Sequence, residues 1–335
     1  MLTFLLAPHL AASAATLDVY GELIGKTILA PSALPSLRDS MVSELPPEKT
    51  NAIASIESEF FKSGIYVVQD GPSFVRLLPA GKWQAYLTNA PLRGAQLGTS
   101  ARQELIPAGA VNFPGTELTQ VLGIYAELKN RTILRTRFLP QASVRLKTQC
   151  ALTREELIYA VETVLALNGI ATVDDGRAFV QIVPIQLRSQ VNAHAPTPEP
   201  SARLFDPQKV PAVGQYEFPR PQTKLERDLE RWRKAFFEFM RLNSPRNSSA
   251  QRLLELYAGL TDKTAEPSAQ YESSPIWFHV TTPVSKSELL YAIETTFALN
   301  NLSITRVDDE RIRLDLNKGP GKDVGRPDAN LEPKL

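Results

Sequence analysis

The chain has 335 residues, 43% hydrophobic and 22% charged, which is enough for two or three domains with cores of their own. Its formal net charge of +1 supplies no global field to draw in nucleic acid or an acidic membrane surface. The single cysteine, Cys150, excludes an internal disulfide and a thiolate metal cluster, and its place beside an apolar run makes it a small buried hydrophobe.

The chain opens on MLTFLLAPHLAASAAT, which has the apolar run and small-residue ending of an export signal but no basic start. Register with later segments instead makes Leu2–Ala7 a first strand. No run of about 18 or more apolar residues follows, so no transmembrane helix is expected. The stretch VYGELIGKT (Val19–Thr27) then recurs as IYAELKNRT (Ile124–Thr132) and as LYAGLTDKT (Leu256–Thr264). A shift of 105 aligns Tyr20 with Tyr125, Thr27 with Thr132, Gly64 with Gly169, Asp70 with Asp175 and Phe74 with Phe179. A shift of 132 aligns Tyr125 with Tyr257 and Thr132 with Thr264, and lays ELIYAVETVLALNG (Glu156–Gly169) over ELLYAIETTFALNN (Glu288–Asn301). After that helix the letters slip by two, VDDGR becoming VDDER.

A register held this long predicts three copies of one module. The expected layout is module 1 over 1–82, a connector over 83–104 and module 2 over 105–187. A Pro-rich extended spacer without a core follows over 188–222, then an amphipathic helix over 223–246, module 3 over 247–317 and a disordered tail over 318–335. Module 2 shows the pattern best. AVNF reads as a strand, and Leu118, Val121, Leu122, Tyr125 and Leu128 stripe one helix face. Thr132–Thr136 and the alternating SVRLKT read as strands. Thr153 followed by Glu156 is a capping-box signature, and Gly169 suits a helix end with positive φ. IATV and AFVQIV around Asp174-Asp175-Gly176 form a hairpin. The module order is β-α-β-β-α-β-β, an α+β fold. In module 3, Ser285 with Glu288 repeats the cap, and Asn301 replaces the glycine as the next most tolerant residue.

These marks (x-Y-x-x-L, then [KR]-T-[IV]-L, a helix ending N-G, I-x-x-V-x-D-G and a strand ending V-P) resemble the N-terminal domains of secretins and the related short N-terminal domain of TonB-dependent receptors. The residues that carry the resemblance are Tyr125–Leu134, Leu152–Asp175 and Ala178–Pro184, with their counterparts in the other copies. The resemblance implies small KH-like modules that stack in the periplasm, pack into rings and dock other parts of a type II secretion-like machine at the outer membrane. The glycine-rich channel region of a secretin is not part of this sequence, so channel activity does not carry over.

Tyr20, Tyr125 and Tyr257 read as core residues whose hydroxyls reach a polar partner, and Thr27, Thr132 and Thr264 as strand openers. Asp174-Asp175 and Asp308-Asp309 read as solvated turns, not acid–base pairs. His9, His194 and His279 have no ligand spacing, and no G-x-S-x-G, P-loop or G-x-G-x-x-G occurs. No catalytic, cofactor or metal residue is therefore expected, and the chain reads as a non-enzymatic scaffold. Nucleic-acid binding through KH-like modules, the alternative, would need a G-x-x-G loop, and no two glycines stand three apart. Partners are expected to be envelope proteins of a secretion machine and other copies of the chain. The expected contact residues are Trp232, Phe236 and Phe239 on the amphipathic helix, and Phe74, Val75, Phe179, Val180, Ile312 and Leu314 on strands taken as sheet edges.

Overall fold

The computed structural model describes residues 7–35, 37, 43, 45–97, 104–191, 193–197, 204–205, 239, 249–272 and 274–317. Helices and small sheets are mixed along the chain, as an α+β fold requires. In chain order come α1 (Ala7–Ile24), β1 (Thr27–Leu29), α2 (Lys49–Lys62), β2 (Ile65–Gln69), β3 (Phe74–Pro79) and α3 (Trp83–Asn89). Then follow β4 (Leu105–Ile106), β5 (Asn112–Glu117), α4 (Leu118–Lys129), β6 (Thr132–Arg135), β7 (Ser143–Lys147), β8 (Leu152–Thr153), α5 (Arg154–Leu167), β9 (Ile170–Asp175) and β10 (Phe179–Pro184). The last group is β11 (Leu204–Phe205), α6 (Ala250–Leu260), β12 (Thr264–Ala265), α7 (Ala269–Glu272), β13 (Val284–Ser285), α8 (Lys286–Leu299), β14 (Leu302–Arg306) and β15 (Arg311–Leu316).

Local chemistry sets the element ends. Thr153 and Ser285 both close full capping boxes, with Glu156 and Glu288 reaching back to the cap amides. Gly64, Gly169 and Asn301 follow α2, α5 and α8 with φ of 69°, 77° and 59°, the left-handed bend that releases the chain into a strand. The expected strand over Leu2–Ala7 does not extend to Ala7, which begins α1; the rest lies outside the described residues.

Three sheets have three strands each, ordered β1-β3-β2, β6-β10-β9 and β12-β15-β14. In the first and third, the last strand lies between its antiparallel hairpin partner and a parallel strand that precedes the second helix. Strands β3, β10 and β15 are therefore central, and the expectation that they are edges is corrected. Phe74, Val75, Phe179 and Val180 have no exposure, so β3 and β10 are packed on both faces here, whereas β15 buries Ile312 and Leu314 on one face and exposes Arg311 and Arg313 on the other.

Backbone bonds also correct the expected slip of two. Ala80 donates to Gly64 (2.7 Å), Ile185 to Gly169 (2.8 Å) and Asn317 to Asn301 (2.9 Å). Thr27 donates to Ser73, Thr132 to Ala178 and Thr264 to Glu310. These sets keep shifts of 105 and 132 through the hairpins, so the place of Asp70 and Asp175 is taken by Val307. The slipped VDD letters align by composition and not by place.

The chain divides into two compact units, Met1–Arg131 with Leu139–Asp174 and Gln181–Ala193, and Thr132–Phe138 with Asp175–Val180 and His194–Leu335. In the first, Leu17, Tyr20, Ile56, Phe60, Ile65, Val75 and Leu77 share a core. In the second, Phe205, Phe239, Leu253, Leu254, Phe278, Leu289, Ile293, Phe297 and Leu314 do so. Phe205 comes from the expected coreless spacer: β11 pairs with β13, and its ring packs on Phe239 at 5.6 Å.

Candidate interface: two polar joints

One hydrogen bond recurs at three places. The hydroxyls of Tyr20, Tyr125 and Tyr257 donate to Glu57, Glu162 and Glu294 at 2.7, 2.7 and 2.6 Å, always 37 residues apart. The first helix of each segment is thereby tied to the second at the rim of the core, as the apolar stripe around each tyrosine suggests.

A second set of contacts lies within the first unit. The turn after β2 buries Asp70, and β3 buries Arg76 beside it, with Nε 2.6 Å from the carboxylate and both side chains at or below 1% exposure. Burying this pair demands further partners, because desolvation costs several kcal/mol per ion, to order of magnitude. Tyr159, from the face of α5 that starts at the capping box, donates to Asp70 Oδ2 at 2.6 Å and accepts from the Arg93 amide at 2.9 Å. The Gly94 amide donates to Asp70 Oδ1 at 2.8 Å. Arg76 also donates to the carbonyls of Ala90 and Pro91 and to the Tyr159 hydroxyl. The Tyr159 ring stands edge-on to Phe74 at 5.5 Å. Burial first, and then the bond to Asp70, pushes the Tyr159 phenol up from its usual pKa.

The same unit holds two further ties. Thr27 Oγ1 accepts from the Gln149 amide at 3.2 Å and lies 3.7 Å from Cys150 Sγ. Asn168 Oδ1 accepts from the Ser32 amide at 2.9 Å.

The second unit repeats these ties at its own positions. Tyr291 donates to Asp175 Oδ2 at 2.5 Å, and the Ala195 amide donates to Asp175 Oδ1 at 2.9 Å. The His194 amide points at the Tyr291 hydroxyl at 3.4 Å, and the Tyr291 ring lies 5.9 Å from Phe179. Thr132 Oγ1 accepts from the Thr281 amide at 3.0 Å and lies 3.3 Å from Thr282 Oγ1. Asn300 Oδ1 accepts from the Arg137 amide at 2.9 Å. Burial first, and Asp175 second, pushes the Tyr291 phenol up to about 12. This joint adds a stack of Arg135 on the Trp277 ring at 3.9 Å, where burial pushes the guanidinium down to about 10.

These positions correct two expectations. Asp175 is fully buried, because the Tyr291 hydroxyl and an amide satisfy it; its neighbour Asp174 stays exposed and pairs with Lys129 and Arg131. Asp308 and Asp309 are exposed, as expected. Cys150 is half-buried, with its thiol 3.6 Å from the Ser73 carbonyl, so it is a joint residue and not an interior one.

Of the expected contact residues, Phe74 and Phe179 meet the joint tyrosines, while Val75, Val180, Ile312, Leu314 and Phe239 sit in cores. Trp232 and Phe236 lie outside the described residues. Tyr159, Tyr291 and Arg76 were not singled out by sequence reasoning. The match of ELIYAVE with ELLYAIE, against Ala54 at the position 105 residues before Tyr159, was the available signal.

No family model, curated protein or solved structure matches this chain. Among the described residues no three His, Cys, Asp or Glu side chains are grouped to hold a metal, and no helix is long and apolar enough to cross a membrane. The chemistry of the joints is positional: neutral phenols and backbone amides hold buried carboxylates in one orientation.

Proposed function

We propose that the chain is a non-enzymatic scaffold made of three copies of one α+β module, working in the periplasm within or beside a secretion-type envelope assembly. The observation that carries this reading is the recurrence of one contact set, at shifts of 105 and 132, where the residues repeated in the sequence tie helix to helix and turn to helix. Residues used to fix segments against each other suit a protein whose task is to present surfaces. The resemblance of the same motifs to secretin N-terminal domains supplies the compartment and the class of partner. Surfaces left for partners include the outer strands β2, β9 and β14, which can accept an added strand.

The test is light scattering on the purified chain together with cross-linking in intact cells. A mass above the 37.0 kDa of one chain, with adducts to envelope secretion components, is expected. A chain that stays monomeric at every concentration and cross-links only to cytoplasmic proteins would overturn the proposal.

A further inference from the structure

We infer that the Tyr–Asp pair, Tyr159 with Asp70 and Tyr291 with Asp175, is the specificity element by which each module recognises the one before it. This rests on the reading of the chain as three copies of one module. A buried carboxylate must be satisfied, and at each joint its oxygens are met by a tyrosine from the following helix and by an amide of the segment after the hairpin. A module docked one turn out of register, or one lacking the tyrosine, would take one buried hydrogen bond from that carboxylate. The pair therefore penalises wrong docking as well as favouring the right one.

The copies in which one half of the pair is missing support this assignment. In the first copy, α2 has Ala54 where α5 has Tyr159, and its outer face presents Asn51, Ser55, Ser58 and Lys62 to solvent. In the third copy, Val307 replaces the aspartate and is exposed, and Arg311 replaces the phenylalanine and pairs with Asp308 and Glu266. Thr264 remains at the place of Thr27 and Thr132 but is exposed. The threonine is thus present in all three copies, whereas among these copies each half of the Tyr–Asp pair is present only where a neighbouring copy supplies the other half.

The test is amide hydrogen exchange on the full chain carrying Tyr159→Phe or Tyr291→Phe. Phenylalanine keeps the ring contact and removes only the hydroxyl. In Tyr159→Phe the Gln149 and Ser32 amides, which bond elsewhere in the same joint, should exchange about tenfold faster, with Thr281 and Arg137 unchanged. Tyr291→Phe should show the reverse pattern. A companion, Thr27→Val, should leave the Arg93 and Gly94 amides protected. Faster exchange at Arg93 or His194 alone in the tyrosine variants would overturn the assignment and make the tyrosines local space-fillers. If instead the two variants responded in unlike ways, the equivalence of the modules would itself fail.

Discussion

Tyr125 is fully buried, yet its hydroxyl ends on Glu162, so a residue kept for burial also ties two helices at their edge. The third pair, Tyr257 with Glu294, makes the same bond at the exposed surface. Truncation should follow that gradient. Tyr125→Phe is expected to cost about 1.5–3 kcal/mol of stability, the range for a hydrogen bond to a charged group, and Tyr257→Phe well under that; urea unfolding measures both. The pH dependence has a definite sign. Burial, and then a neighbouring carboxylate, raises the phenols of Tyr20, Tyr125, Tyr257 and Tyr291 in the folded chain. Unfolded phenols ionise near pH 10. The unfolded state therefore holds fewer protons above that pH, and stability falls as pH rises. The contribution of Tyr291 is full below about pH 10 and is lost as pH climbs through its folded value of about 12. Unfolding free energies measured from pH 8 to 11 should decline at the alkaline end, and less steeply in Tyr125→Phe.

At the level of elements, the connector after β3 approaches the turn before it more closely than a side chain allows. A Cβ on Gly94 would lie 2.0 Å from the Asp70 carbonyl oxygen, and Gly71, at φ 79°, packs against Gly94 from the other side. Gly94→Ala should displace the connector, freeing the Gly94 amide from Asp70 and costing several kcal/mol by the combined loss of buried polar contacts, to order of magnitude. Faster proteolysis between Ala80 and Leu97 would report it. Such close approaches are invisible in the letters GAQ, whereas the capping boxes at Thr153 and Ser285 and the left-handed Gly169 and Asn301 were legible because each is decided within about four residues. The order within the sheets was not legible. Parallel pairing of β1 with β3 joins residues 47 positions apart, as Thr27 to Phe74, and nothing local marks the last strand as central. The burial of Asp175 was hidden for the same reason, since its phenol partner is 116 residues away.

For the molecule as a whole, the like ties within each of the two units make a single claim with energetic content: residues far apart in sequence must be coupled in matched pairs. The measurement that tests this most directly is a double-mutant cycle on Asp175→Ala and Tyr291→Phe, with Asp175→Ala and Tyr159→Phe as the mismatched control. A coupling of about 1–3 kcal/mol is expected in the matched cycle, with additivity within about 0.5 kcal/mol in the control. Additivity in the matched cycle, or equal coupling in both, would contradict the account.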